Sequence, residues 1–250
     1  MFFLFFINIA VQCLQFQSFV HIIPHPDKVA KGGEDAYYAN ENLLAVADGV
    51  GGWNNHGVDP SKYSKTLCEN IKEYSHLDNP KQIMQIASEL TNHILGSSTL
   101  VILKLIDNIL NVANIGDCGY TIIRNQEIFH QSEEQQHSFN FPFQLGQQGD
   151  SAQLAQEFQH ILQINDIIIV GSDGLYDNLD ENQILNIINQ YGVSQKSAQL
   201  LAKTSFQYSL DKKYNSPFAK RAQRSKIKFI GGKSDDITVI VARVINHNEL

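Results

Sequence analysis

The chain has 250 residues, 43% of them hydrophobic, and a formal net charge of −7 from 26 acidic and 19 basic residues. Such a chain can bury a core, and its acidic balance argues against a nucleic-acid-binding protein because the net charge would not neutralise the phosphates. Its 3 cysteines are scattered without paired spacing, which excludes a disulfide scaffold and a thiolate zinc site. A globular enzyme or a binding module remains.

The N-terminal segment, residues 1–14, is strongly apolar, and the first charged side chain is Asp27. The segment is shorter than the roughly 20 apolar residues that span a bilayer, so no membrane association is expected. No basic residue precedes it and no clear cleavage site follows it. Three interpretations therefore stay open: a signal, an extra strand and a mis-assigned start. A single domain is predicted over residues 15–247.

Short apolar runs bounded by turn residues predict the strands. In chain order they cover residues 16–23, 43–47, 98–106, 109–115, 120–124, 166–170 and 237–245. Asp107-Asn108 joins two of these runs as a hairpin, and the run 120–124 follows at once. The stretch 98–129 is therefore predicted to form one antiparallel meander.

Four helices are predicted between these runs. Asp59-Pro60 and Asn79-Pro80 each place a capping side chain before a proline at the first helical position. Asp180 and Ser194 are predicted to cap two later helices. Two helix pairs separated by strands do not alternate as a parallel sheet would require. They predict an α+β fold of antiparallel sheets covered by helical hairpins.

Acidic residues stand where the predicted strands begin or end, and basic residues do not accompany them in sequence. They are Glu34, Asp35, Asp48, Asp117, Asp173, Asp235 and Asp236. For any one of them a plain turn is the commoner explanation, but so many in one chain favour a multi-metal site. Carboxylates that converge at one rim repel each other unless cations neutralise them. Carboxylate oxygens without His or Cys select Mg²⁺, Mn²⁺ or Ca²⁺ over zinc.

The motifs around these acids resemble the type 2C family of metal-dependent serine/threonine protein phosphatases. The similarity is greatest to the small organelle-associated, mitochondrial-type branch. The matching strings occur in the family's order and extend over residues 16–245. Among them are G-G-E-D-A (32–36), A-D-G-V-G-G-W (47–53), A-N-I-G-D-C-G (113–119), S-D-G-L-Y-D-N (172–178) and G-G-K-S-D-D-I-T-V (231–239).

The resemblance implies two stacked antiparallel β-sheets flanked by helical hairpins, with metal ions bound at one end. The ions would be Mg²⁺ or Mn²⁺, two of them, with a weaker third. Transferred position by position, Asp48 would bridge both ions. Glu34 and the Gly49 carbonyl would hold one ion, and Asp173 and Asp235 the other.

Three further acids receive roles from the same resemblance. Asp117 matches the acid linked to the weaker third ion. Asp35 would act behind the ligands by holding a metal-bound water. A one-residue slip in the alignment would exchange Asp235 with Asp236, so Asp236 is the alternative ligand.

The sequence departs from the family pattern at two positions. Val50 stands where many members have a histidine proposed to donate a proton, which leaves His56 and His137 as candidates by proximity. Ala30 stands where many members have a phosphate-binding arginine. Lys31 is the expected replacement, with Lys28 as the alternative, although a lysine supplies a point charge rather than a bidentate fork.

The leading hypothesis is therefore an Mg²⁺- or Mn²⁺-dependent phosphatase that acts on phosphoserine and phosphothreonine in proteins. A metal-activated water would be the nucleophile and no phosphoenzyme would form. Asp48, Asp173 and Asp235 would be the catalytic residues. A catalytically weak, phosphoprotein-binding regulatory module is the alternative, and a phosphodiesterase ranks below both because no His ligands match. A phosphoprotein substrate, a monomer and a mitochondrial location complete the expectations.

Overall fold

The structure is a computed structural model that describes residues 13–247. Its strands are β1 Leu14–Ile23, β2 Asp35–Ala39, β3 Leu43–Gly49, β4 Ser97–Ile106, β5 Ile109–Ile115, β6 Gly119–Arg124, β7 Glu127–Gln131, β8 Gln136–Ser138, β9 Phe141–Pro142, β10 Leu145–Gly146, β11 Gln156–Ile161, β12 Ile167–Gly171 and β13 Ile237–Asn246. Its helices are α1 Pro60–Glu73, α2 Pro80–Thr91, α3 Asp173–Tyr176, α4 Glu181–Tyr191, α5 Gln195–Ser209 and α6 Pro217–Arg224. Short 3₁₀ helices cover Pro26–Lys31, Gly51–His56 and Ala152–Leu154.

Two antiparallel sheets form the centre of the fold. The first, sheet A, has the strand order β1-β13-β12-β6-β7, and the second, sheet B, has the order β11-β5-β4-β3-β2 with β10 added to β4. β8 and β9 form a separate two-stranded ribbon. The predicted runs at 43–47, 98–106, 109–115 and 237–245 lie in these strands, and the run at 166–170 does so from residue 167 onward.

Three apolar clusters hold four layers together. Val46, Leu103, Ile168 and Ile240 belong to the cluster between the two sheets. A second cluster packs α1 and α2 on the outer face of sheet B, and a third packs α3, α4 and α5 on the outer face of sheet A. The predicted α+β fold of two stacked antiparallel sheets flanked by helical hairpins is confirmed.

The helix starts lie where the capping signals predict them. Asp59 accepts a hydrogen bond from the Ser61 N–H, and Asn79 accepts one from the Gln82 N–H. α4 and α5 each begin with a capping box, at Asp180 and Ser194. These four helices follow from local sequence because the cap and the first turn lie within a few residues of one another.

The predicted meander over 98–129 is wrong. β4 and β5 pair in sheet B, but β6 pairs with β12 and β7 in sheet A. The chain crosses from one sheet to the other at residues 116–118, where Gly116 has φ +97°. A Cβ on Gly116 would lie 2.6 Å from side-chain atoms of Thr99, so only glycine fits this crossing. The crossing places Asp117 between the sheets.

β1 begins at Leu14, whose side chain is buried in the inter-sheet cluster. The rest of the predicted apolar segment, up to residue 12, lies outside the described residues. Within residues 13–247 no helix has both the length and the apolar character needed to cross a membrane.

Candidate metal centre and active-site cavity

A cavity of about 1250 Å³ opens at the end of the sandwich where β3 and β12 finish. Four of the predicted acids line it, namely Asp48, Asp117, Asp173 and Asp235. They come from four separate stretches of chain, so the convergence predicted from strand ends is realised in three dimensions. Glu34, Asp35 and Asp236 lie behind this wall, buried beneath the cavity surface.

Asp48 and Asp35 stand opposite each other across β2 and β3. Among residues 13–247 no hydrogen bond reaches the Asp48 carboxylate. Burial raises the pKa of Asp48 well above its ordinary value, and the charges of Asp35 and Asp173 add to the rise. Burial, with the charge of Asp236, also raises the pKa of Asp35 to about 8. The acids therefore repel one another as the sequence indicated.

Glu34 is fully buried at the start of β2. Its Oε1 accepts a 2.7 Å hydrogen bond from Asn54, and its Oε2 lies 2.7 Å from the Lys28 ammonium nitrogen. The Glu34 carbonyl accepts a 3.2 Å hydrogen bond from the Gly49 N–H. A Cβ on Gly49 would come within 2.7 Å of that carbonyl oxygen, so glycine is required for this close approach.

Asp173 and Asp235 form the opposite wall. Asp173 opens α3 directly after β12; its Oδ2 contacts the Lys233 ammonium group, and its Oδ1 is buried without a hydrogen-bond partner. Asp235 Oδ1 accepts a hydrogen bond from the Asp236 N–H at 2.9 Å. Burial raises the pKa of Asp235, and the neighbouring charge of Asp173 raises it further.

Asp236 differs from Asp235 in what it touches. Its Oδ1 accepts a 2.7 Å hydrogen bond from the His25 N–H, and its Oδ2 accepts a 2.9 Å bond from the Glu34 N–H. Only 1% of Asp236 is exposed, and it does not line the cavity. Asp236 thus fastens the chain before β2 to β13, and this favours Asp235 as the ligand.

Asp117 lies at the crossing between the sheets and lines two cavities. One is the large cavity, and the other has a volume of about 310 Å³ and lies towards the N-terminal end of α4. Among the described residues its carboxylate makes neither a hydrogen bond nor an ion pair. Burial raises the pKa of Asp117 well above its ordinary value, and repulsion from Asp173 is the next largest cause of the rise.

Two lysines lie among the acids, and sequence reasoning overlooked one of them. Lys28 contacts Glu34, and Lys233 contacts Asp173. Lys31, the expected phosphate-binding residue, lies outside the cavity lining, and its ammonium nitrogen is 3.3 Å from Asn54 Oδ1. Lys28 reaches inward instead because it faces β13 across the 3₁₀ turn. Lys233 stands two residues before Asp235, so a base does accompany these acids in sequence, and the prediction that none does is wrong.

The donor set fits hard divalent cations. Within residues 13–247 no three acidic, histidine or cysteine side chains already enclose one point as ligands, because the ammonium groups of Lys28 and Lys233 lie between the carboxylates. Asp35 Oδ1 and Asp173 Oδ1 are nevertheless buried without a hydrogen-bond partner. A buried carboxylate oxygen without a partner is unfavourable, and a cation or its bound water would satisfy it.

The positions considered for a proton donor line the cavity. Val50 lines it and offers no proton donor, and His56 packs edge-on against Trp53. His137 Nε2 lies 3.0 Å from Asp150, and its ring stacks on Phe143. His137 is therefore the candidate that combines a place on the cavity wall with a carboxylate partner.

Comparison with known proteins shows which family the chain resembles. A family model described as Stage II sporulation protein E (SpoIIE) matches residues 39–245. The chain is 35% identical to probable protein phosphatase 2C 26 of Arabidopsis thaliana, over 91% of this chain and 83% of that protein. It is 36% identical to the protein phosphatase PTC7 homolog of Homo sapiens, over 87% of this chain and 81% of that protein.

Solved structures share the four-layer sandwich. The X-ray structure of the photosystem II phosphatase PBCP matches with a TM-score of 0.88 at 33% identity, over 92% of this chain and 99% of that one. The catalytic domain of the serine/threonine protein phosphatase PstP, solved with 2 manganese ions, matches in fold with a TM-score of 0.70 at 18% identity, over 93% and 100%. The fold and the acid-lined cavity define the PPM class of phosphatases. The chain belongs to the protein phosphatase 2C family.

Proposed function

We propose that the chain hydrolyses phosphoserine and phosphothreonine in proteins and depends on Mg²⁺ or Mn²⁺. The observation that carries the proposal is the convergence of Asp48, Asp173 and Asp235 on one cavity. The family relationship supports the reaction, and the carboxylate-only donor set supports the type of ion. No observation favours the regulatory module, which becomes an outcome of the test below.

We assign the ligands as the sequence predicts. Glu34 and the Gly49 carbonyl would hold one ion, Asp173 and Asp235 the other, and Asp48 both. Two ions and a weaker third at Asp117 remain part of the proposal. Among the described residues no hydrogen bond reaches the Asp48 carboxylate, and this supports its assignment to both ions, since all the carboxylate lone pairs remain available to cations.

The chemistry divides between ions and side chains. Divalent cations, when bound, supply an activated water and neutralise the phosphoryl oxygens. Asp35 keeps Oδ1 directed into the buried site while Ser172 holds its Oδ2 at 2.7 Å, so Asp35 can orient a water. Val50 cannot protonate the leaving group. His137, held by Asp150, is the side chain placed to do so.

The test is phosphate release from a phosphothreonine peptide with Mn²⁺, with Mg²⁺ and with EDTA. The Asp48→Asn variant should lose at least about 100-fold in activity, because even residues behind metal ligands are worth about 10- to 100-fold. Asp107→Asn is the matched control: Asp107 lies in the exposed β4–β5 turn with φ 54°, which Asn tolerates. Turnover in EDTA would refute metal dependence. A folded protein that binds Mn²⁺ without turnover would indicate the regulatory module.

Four expectations from the sequence stay proposals. A monomer can be tested by sedimentation, and a mitochondrial location by fractionation of cells that express the full chain. A phosphoprotein as the physiological substrate is supported by the family relationship. The single domain over residues 15–247 is supported by the pairing of β1 with β13, which joins the two ends of that range.

A further inference from the structure

The large cavity has two fixed positive charges. Lys28 and Lys233 are the lysine or arginine side chains that line it within residues 13–247. A substrate phosphate must approach past Asp48, Asp117, Asp173 and other acids, and their negative potential opposes a dianion. The arginine that many family members use is Ala30 here, so another cation must take its place.

Lys233 is held by groups that lie outside the proposed ligand set. Its ammonium nitrogen lies 2.7 Å from Asp177 Oδ2, and Asp177 is buried away from the cavity lining. Its backbone is clamped by Asn178, which accepts from the Lys233 N–H at 2.9 Å and donates to the Lys233 carbonyl at 2.8 Å. The ring of Phe218 lies 5.2 Å from the ammonium nitrogen. These contacts fix Lys233 whatever Asp173 binds.

Lys28 has an equivalent anchor on the other side of the cavity. Its ammonium nitrogen lies 3.0 Å from Asp236 Oδ2, and Asp236 is itself fixed by the backbone of His25 and Glu34. Asp235 stands between the two lysines, 3.4 Å from the Lys28 nitrogen and 3.7 Å from the Lys233 nitrogen. The two ammonium groups therefore flank one proposed ligand, each with its own anchor outside the ligand set.

We propose that Lys233, together with Lys28, binds the phosphate of the substrate. The inference rests on the proposed function and assigns its anion-binding groups. Asp177 and Asp236 keep the two side chains in position. Each ammonium group has three N–H donors, and those that now face Glu34, Asp173 and Asp235 become available to phosphoryl oxygens when cations occupy these carboxylates. A merely structural role would instead make Lys233 a counter-charge that positions Asp173 and Asp235.

The two roles predict different measurements on Lys233→Met. If Lys233 binds phosphate, the dissociation constant of inorganic phosphate for the Mn²⁺-loaded protein, measured by calorimetry, rises at least about tenfold. The affinity for Mn²⁺ stays equal or increases, since a competing positive charge has been removed. If Lys233 only positions the acids, Mn²⁺ binding weakens and phosphate binding to the Mn²⁺-saturated protein stays unchanged. That second pattern would overturn the proposal.

Lys28→Met should behave as Lys233→Met does, and Lys31→Met is the matched control because Lys31 lies outside the cavity lining. An equal loss of phosphate binding in the control would refute the assignment. Asp177→Asn should weaken phosphate binding less than Lys233→Met, since it removes the anchor and leaves the ammonium group. Wild-type protein that binds phosphate but releases none from a phosphopeptide would defeat the proposed function and leave this inference standing. Wild-type protein that binds no phosphate would defeat the inference.

Discussion

Asp235 and Asp236 are adjacent acids for which the structure predicts opposite effects of substitution. Asp236→Ala removes a buried carboxylate that accepts two backbone hydrogen bonds, from His25 and Glu34. Asp235→Ala removes a carboxylate that faces the cavity and is repelled by Asp173. The first substitution should therefore lower stability, and the second should lower metal affinity.

The magnitude for Asp236 follows from the two hydrogen bonds. A hydrogen bond to a charged group contributes about 1.5 to 3 kcal/mol, and its removal leaves a buried N–H group unpaired. Relief of repulsion within the acid cluster offsets part of this loss. We therefore expect Asp236→Ala to lower the free energy of unfolding by about 3 kcal/mol. Asp235→Ala should leave it unchanged or slightly higher, because a repulsive charge is lost. The Asp236 N–H can find water, and the ammonium groups of Lys28 and Lys233 keep other carboxylate partners.

The assay is urea denaturation in EDTA for both variants, followed by calorimetric titration with Mn²⁺. Asp235→Ala should bind Mn²⁺ at least about 100-fold more weakly, and Asp236→Ala should keep its affinity below the unfolding transition. A stable Asp236→Ala protein that no longer binds Mn²⁺, beside an Asp235→Ala protein that does, would refute the assignment and exchange the two roles.

Three further outcomes are expected. Burial, with the charges of His130 and Arg124, lowers the pKa of His160 to about 4. The unfolded chain therefore binds more protons than the folded chain between pH 6.5 and 4. The contribution of neutral His160 to stability is complete above pH 6.5 and is lost as the pH falls. Because His160 is only partly buried, solvent screening reduces the effect, and denaturation at pH 7 and 4.5 should show about 1 kcal/mol less acid destabilisation in His160→Gln than in the wild type. Equal losses in the two proteins would show that His160 is not the cause. Gly116→Ala should lower the free energy of unfolding by about 2 to 5 kcal/mol. Gly57→Ala, also at positive φ but with open space around it, should lower it by about 1 to 2 kcal/mol. Equal losses in the two variants would show that the close neighbours of Gly116 add no cost. Mn²⁺ at 100 times its dissociation constant should stabilise the protein by about 2.7 kcal/mol in thermal denaturation, and no such stabilisation should occur in Asp48→Asn.

Local signals predicted the helices and most strands. Asp59-Pro60 and Asn79-Pro80 begin α1 and α2 because a cap and a proline act within one turn, and Asp107-Asn108 forms the β4–β5 turn. β6 was placed in the wrong sheet because strand partners are chosen by packing across the whole fold. Its partner β12 lies more than 40 residues further along the chain, where adjacency in sequence gives no signal.

In the candidate site, too, local sequence predicted some residues and could not place others. The acids could be found because each stands at a strand end, and their convergence follows once those strands share one sandwich. The lysines could not be placed, since Lys28 reaches Asp236 across 208 residues. The distinction between Asp235 and Asp236 also needed three dimensions, because both follow the same loop and only their hydrogen-bond partners differ.

The position of β13 has a consequence for the order in which the protein can be assembled. β13 is an interior strand of sheet A, between β1 and β12, although it comes last in the described chain. A ribosome must therefore complete residues 237–246 before β1 obtains its partner. In the folded protein the two strands pair antiparallel, from Leu14 opposite Asn246 to Ile23 opposite Ile237. Until then β1 and β12 present open edges that other chains could join. Sheet B, whose strands all lie within residues 35–161, has no such requirement. Nascent protein should thus hold Asp35, Asp48 and Asp117 together before it acquires Asp235 and Asp236, which directly precede β13.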